Sequence, residues 1–223
     1  MSRTTPFSAV NLYQDVAVDA ETWNHFPDTD VVDITIQAIK KRGIKVILAA
    51  DGDEALAVIR KLIPSGSEVM SGSSTTLIEI GFEDYVARGT GGWILLHTKI
   101  NAEDDPVKRA EIRRKSVTAD YFISSANAIA QTGEIVSCDA SGSRVGAWPY
   151  AAGHLILVAG INKIVPTVED ALQRIRTYVF PLENVRAMKA YGTQSMIGKC
   201  VILANEKQEG RITLILVSES LGY

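Results

Sequence analysis

Apolar residues fall along the chain in short β-branched runs, separated by stretches with helical spacing. Lys45–Ala49, Glu68–Met70, Trp93–Leu96, Tyr121–Ser124 and Leu155–Ala159 read as buried strands. Between them, Val31, Ile34, Ala38 and Ile39 share one helical face behind an expected N-cap at Asp30, and Gly43 supplies the stop. Asp53 is expected to cap a second helix through Leu62, with Pro64 ending the unit. Thr76–Ile80 predicts a short helix, Pro106–Ser116 a charged one with a proline start, and Val168–Tyr178 an amphipathic one. Thr132–Ser137 reads as one arm of a hairpin, and Cys200–Ala204 with Ile212–Val217 as a final strand pair. Strands alternating with helices predict an α/β fold: a mostly parallel sheet flanked by helices in a Rossmann-like three-layer arrangement, with a small C-terminal strand pair. Residues 1–29 lack clear periodicity and are expected to form an irregular arm or a short helix; residues 30–223 read as one domain, without internal repeat or low-complexity linker.

Composition narrows the classes of function. Of 223 residues, 46% are apolar, enough for a large core, and the net charge is -3 with no Lys/Arg cluster of five or more. Nucleic-acid binding needs a basic stripe to neutralise phosphates, so no nucleic-acid partner is expected. No stretch approaches the roughly 18 apolar residues needed to span a bilayer. The first residues lack a signal-peptide pattern, and only Cys138 and Cys200 occur. A cytoplasmic protein without a disulfide framework, metal or cofactor is expected.

In an open parallel sheet, ligands sit beyond the carboxyl ends of the strands. Ser71-Gly72-Ser73-Ser74-Thr75 lies between a strand and a helix, where backbone amides and hydroxyls can hold an anion. It is not a Walker A loop, since Gly-Lys-[Ser/Thr] is missing. The alternative is a polar loop that caps the next helix. Glu79, four residues beyond Thr75, is a candidate acid or base, or a solvated carboxylate. Ser125-Ala126-Asn127 is followed by Thr132-Gly133-Glu134; small residues there admit a ligand to the backbone, and an amide can donate and accept, unless the segment is only a tight turn. Arg144 can clamp a carboxylate or phosphate, and Gly160, Asn162 and Lys163 follow the most apolar strand, where Lys163 can add a point charge. His25, His97 and His154 show no metal-ligand spacing, and no Gly-x-Ser-x-Gly elbow is present. Cys138 reads as a small buried filler.

Taken together these segments resemble the lactate-utilisation (LUD, formerly DUF162) domain family. Ser71-Gly-Ser-Ser-Thr-Thr-Leu-Ile-Glu-Ile-Gly81, Ala119–Glu134 with its Asn127-Ala-Ile129, Gly142-Ser-Arg-Val145, Val158-Ala-Gly-Ile-Asn-Lys-Ile-Val-Pro166 and the Leu221-Gly-Tyr223 ending are collinear with that family's motifs. The resemblance implies a fold similar to ribose-5-phosphate isomerase, glucosamine-6-phosphate deaminase and the CoA transferases, which bind sugar phosphates or acyl-CoA at the strand ends. Ser125–Ile129 also looks like the Gly-Ala-Asp-x-Ile motif of methylthioribose-1-phosphate isomerases, but Asn127 stands where those carry a catalytic Asp, and a neutral amide is no general base. The cysteine-rich segment of many relatives is reduced here to Cys200.

Two functions are consistent with these readings. In the first, the protein acts on a small anionic metabolite: a sugar phosphate, a hydroxy acid such as lactate, or an acyl-CoA. Ser71–Thr75 and Lys163 hold the anion, Glu79 or Glu134 moves protons, and Asn127 and Arg144 orient the substrate. In the second it is a non-catalytic or regulatory subunit of a lactate-oxidising assembly, with an exposed aromatic patch drawn from Trp23, Phe26 and Trp148. The first requires Glu79, Asn127 and Glu134 to converge on one cleft; the second requires the patch to be open. A homodimer or a partner subunit is compatible with either.

Overall fold

The computed structural model describes residues 5–223. Helices α1 (Ala9–Leu12), α2 (Ala20–Trp23) and α3 (Thr29–Lys41) precede strand β1 (Lys45–Ala49). Helix α4 (Gly52–Leu62) leads to β2 (Glu68–Ser71), α5 (Thr75–Glu79), α6 (Phe82–Ala87), β3 (Ile94–Leu95), α7 (Leu96–Asn101) and α8 (Pro106–Lys115). Then come β4 (Tyr121–Ser125), β5 (Ala128–Ala130), β6 (Ile135–Asp139), α9 (Ser143–Gly146), β7 (His154–Gly160) and β8 (Ile164–Val165). Helix α10 (Val168–Arg174) passes through a π-helical turn, Ile175–Val179, into α11 (Phe180–Tyr191), before β9 (Lys199–Leu203) and β10 (Ile212–Val217).

The main sheet has six strands in the order β1-β10-β7-β4-β2-β3, all parallel. Its central strands are unbroken apolar runs because both faces are covered. β10 is buried at every position, and β7 at every position after His154. One face packs on α3 through Val32, Ile36 and Ile39, with Trp148. The other packs on α4 and α5 through Ala55, Ile59 and Leu77. A third cluster joins Leu12 and Trp23 of the N-terminal segment to Tyr178, Val179 and Leu182. Residues 5–28 are therefore tied to the body, with Tyr13 Oη 2.7 Å from Tyr178 Oη and Asn162 Nδ2 donating to Asn24 Oδ1 at 2.6 Å.

Several local expectations shift. The buried stripe of α3 is Val32, Thr35, Ile36 and Ile39, and Ile34 is exposed; the helix starts behind Asp28, two residues before Asp30. Asp51, not Asp53, caps α4, accepting from Glu54 N. β1 is an edge strand paired only to β10, so Leu48 is half-exposed and not core. The last two strands do not pair with each other. β10 enters the middle of the main sheet, while β9 joins a second sheet, β8-β5-β6-β9. There β9 runs antiparallel to β6 and places Cys138 opposite Cys200. Of the three aromatics expected in a partner-facing patch, Trp23 and Trp148 are buried and Phe26 is exposed. No helix among the described residues is long and apolar enough to cross a membrane.

Candidate functional site

Chain order along the main sheet reverses between β2 and β4. From β2 the chain moves outward to β3, whereas from β4 it moves the other way, to β7. The loops leaving the carboxyl ends of these neighbouring strands therefore diverge and leave a crevice, the switch point where such sheets receive ligands. A cavity of about 350 Å³ opens there. Gly72–Thr76 after β2 and Ser125–Asn127 after β4 form its floor. Gly72 admits the neighbouring turn closely: a Cβ on it would sit 2.9 Å from Arg144 Cδ. Ser74 accepts from Leu77 N at 3.3 Å and so caps α5, while Ser73 is left half-exposed at the cavity.

Lys163 reaches the floor from the turn after β7. Its Nζ lies 2.9 Å from Thr76 Oγ1, 2.9 Å from Ser125 Oγ and 3.0 Å from the Ala126 carbonyl. The side chain is buried. Burial first, and the Arg174 guanidinium second, hold the amine well below the ordinary lysine range, with Glu79 pulling the other way.

The second sheet builds the next wall. Asn127 Oδ1 accepts from Ser137 Oγ and from Cys138 N, both at 2.9 Å, so the amide joins the start of β5 to β6 and keeps its Nδ2 free of protein partners among the described residues. Cys138 lines the cavity as a thiol, raised to about 11 by burial despite nearby Arg144. Asp139 accepts from the amides of Ser141, Gly142 and Arg144 at 2.8–2.9 Å. Burial works against its ionisation, but these amides and the Arg144 guanidinium prevail and hold the carboxyl below the usual range. The turn in turn orients Arg144, whose Nη2 donates to the Cys138 carbonyl at 2.5 Å.

The roof was not foreseen. Glu183 and Arg186 of α11 form a two-bonded pair, both bonds 2.7 Å, and Tyr223 Oη donates to Glu183 at 2.8 Å. Thr193–Met196 complete the rim, and exposed Arg113 of α8 stands beside it. An acid–base pair three residues apart on a helix is an ordinary surface pattern, so no local signal marked these residues. Their role comes from α11 crossing the strand ends.

Other expected site residues lie elsewhere. Ser71 ends β2 and does not line the cavity. Thr132, Gly133 and Glu134 are at the far end of the β5–β6 hairpin, separated from Asn127 by the three residues of β5, roughly 10 Å at the rise of a strand. There Glu134 pairs with Arg42 at 2.5 Å and accepts from Thr132 Oγ1, while Arg42 Nε donates to the Thr132 carbonyl at 2.8 Å. Burial opposes ionisation of Glu134, but the bonds from Thr132 and Arg42 outweigh it and keep the carboxylate charged. It is a clasp between hairpin and α3. Gly160 and Asn162 serve the C-terminal segment: Asn162 Oδ1 accepts from Leu221 N at 3.1 Å. Glu79, Asn127 and Glu134 therefore do not converge, and only Asn127 lines the cavity.

Glu79 is buried behind the floor, joining two distant segments. It accepts from Ser8 Oγ and from Gly222 N, both at 2.6 Å. Burial raises its pKa despite these bonds. The folded state thus keeps a proton that the unfolded chain has already released, so stability falls as pH rises from about 4.5, the ordinary value, through the raised folded value. Glutamine at this position can accept from Gly222 and donate to Ser8 Oγ. Glu79→Gln is expected to lack this loss, so its stability relative to wild type rises through that window with a slope of at most about 1.4 kcal/mol per pH unit. Urea unfolding of both proteins across pH checks it; a difference independent of pH would show that Glu79 is ionised normally.

A crystal structure of a DUF162 family protein from Deinococcus radiodurans superimposes with a TM-score of 0.52 at 12% identity, covering 86% of this chain and all of that one. At that identity the likeness speaks to the fold alone. The curated proteins contain no match. The LUD domain profile matches residues 32–222, a span that takes in every strand and both strand-end loops of the cavity, and the chain therefore belongs to the LUD-domain family.

Proposed function

We propose that the cavity binds, and the protein acts on, a small anionic metabolite of the sugar-phosphate, hydroxy-acid or acyl-CoA type. The observation that carries this reading is the electrostatic balance at the switch point. Arg113, Arg144 and Arg186 line the cavity against Asp139 and Glu183. Both acids are already satisfied, Asp139 by its own turn and Glu183 by Arg186 and Tyr223. Arg144, fixed at one nitrogen only, offers its remaining donors to a carboxylate or phosphate. The volume lies within the range of small-molecule sites, about 300–1,000 Å³.

Thermal unfolding against inorganic phosphate, sugar phosphates, lactate and other hydroxy acids, and acyl-CoA thioesters tests it. A ligand at 100-fold its dissociation constant adds about 2.7 kcal/mol of stability. The expected result is a selective rise in Tm that disappears in Ser73→Glu, whose carboxylate occupies the anion's place. The reading fails if none of these anions shifts the transition.

A further inference from the structure

The contact between Lys163 and Ser125 goes beyond anion binding. We propose that Ser125 is a nucleophile activated by Lys163, and that the cavity hydrolyses a carboxylic ester or thioester of a small anionic acid. The proposal rests on the cavity being a ligand site, and it names the chemistry there.

Nζ and Oγ are 2.9 Å apart, a distance at which a proton can pass between them. Both residues line the cavity, so the nucleophile stands where a ligand would lie. The amine is enclosed without an ion-pair partner among the described residues, since the oxygens of Glu79 are engaged by Ser8 and Gly222. Three oxygens surround Nζ, Thr76 Oγ1, Ser125 Oγ and the Ala126 carbonyl, and Ser125 Oγ lies 3.1 Å from Thr76 Oγ1 and 3.2 Å from the Ala126 carbonyl as well. In its neutral form the amine gives its two N–H groups to Thr76 and Ala126, and its lone pair accepts from the Ser125 hydroxyl. Thr76 Oγ1 donates in turn to the Leu221 carbonyl at 3.5 Å. Lysine in this role replaces the histidine of the familiar triad, which fits the absence of a nucleophile elbow.

In the reaction, Ser125 Oγ attacks the carbonyl carbon while its proton moves to Lys163 Nζ. The C–O or C–S bond then breaks, and the ammonium returns the proton to the departing alkoxide or thiolate. Water attacks the acyl-Ser125 ester, gives one proton to Nζ, and releases the acid as that proton is restored to Oγ. Ester and water become acid and alcohol, or acid and thiol, with no redox change. Arg144 holds the acid's anionic group, and Asn127 Nδ2 is the unpartnered donor on the same wall for the oxyanion.

The test uses the full chain and diisopropyl fluorophosphate, which forms an Oγ–P bond and releases fluoride, with the site read by peptide mass spectrometry. One adduct is expected, on Ser125, absent in Ser125→Ala and formed ~100-fold more slowly in Lys163→Met, the order of a lost general base. Since Lys163→Met removes bonds within the core, the wild-type pH profile of labelling is measured as well. The groups facing Nζ are Glu79 from α5, Arg144 from α9 and Arg174 from α10, and the rate is expected to reach its plateau below the ordinary lysine range. No Ser125 adduct, or one whose rate follows neither Lys163 nor pH, overturns the dyad. If anions still raise Tm in that case, the binding site stands without this chemistry; if they do not, both readings fall.

Discussion

Replacing Arg174 with alanine is expected to lower the unfolding free energy by about 3–5 kcal/mol, the range of a large buried side chain removed together with its polar bonds. Arg174 is fully buried. Its Nε donates to the Trp23 carbonyl at 2.9 Å, its Nη1 donates to the Asn127 carbonyl, and its guanidinium lies 5.0 Å over the Tyr178 ring. It thereby joins the N-terminal segment, the start of β5 and the π-helical turn. Alanine leaves two carbonyls unpaired and a void between three packed pieces. The competing effect is relief from holding a cation in the core, where burial brings its pKa down to about 10 and Nη2 has no partner. Methionine separates the two, because it keeps most of the volume and drops both the charge and the bonds. Urea unfolding is expected to rank wild type above Met and Met above Ala. Methionine equal to wild type would mean that the carbonyl bonds contribute no net stability.

Gly160→Ala is expected to cost about 2–3 kcal/mol, at the upper end of overpacking, because two of its three nearest neighbours are backbone atoms that cannot swing away. A Cβ there would lie 2.3 Å from Asn162 Oδ1, 2.4 Å from the Glu219 carbonyl and 2.7 Å from Leu221 N. Relief requires lifting residues 218–222 from the end of β7. That segment places Gly222 N on Glu79 and Tyr223 on Glu183, so the variant is also expected to weaken the Tm shift caused by anions. Gly146 is the control: it is helical, nothing lies within 4 Å of its Cβ position, and alanine there should be neutral or slightly stabilising. Equal Tm values for the two variants would remove the packing role assigned to Gly160.

The elements legible in the sequence were those whose signal is local. β7 and β4 stood out as apolar runs, and α8 showed itself by the proline at its start; the structure adds an Asp105 cap that accepts from Val107 and Lys108. The loops after β2 and β4 were also found, since a parallel sheet tells where to look. Pairing was not legible. β9 and β10 follow one another and read as a strand pair, but β10 is buried on both faces and only a central place in the sheet satisfies that, whereas β9 is largely exposed. The hairpin acid Glu134 and the buried acid Glu79 both resembled catalytic carboxylates because sequence distance conceals which end of an element faces the cavity. Lys163 was recognised as a cation, yet its proximity to Ser125 crosses 38 residues and depends on two neighbouring strands ending at the same level.

The place of β10 between β1 and β7 has a consequence for how the molecule is assembled during synthesis. β1 has no partner other than β10, so an emerging chain can hold β7, β4, β2 and β3 together while β1 waits on the far side of a vacant slot. The longest-range pairing, β1 beside β10 with Lys45 opposite Thr213, forms only when β10 has left the ribosome. Contacts of such separation are slow to close, and until then both β1 and β7 present bare edges open to a wrong partner. A chaperone that shields those edges would thus be needed until β10 has emerged.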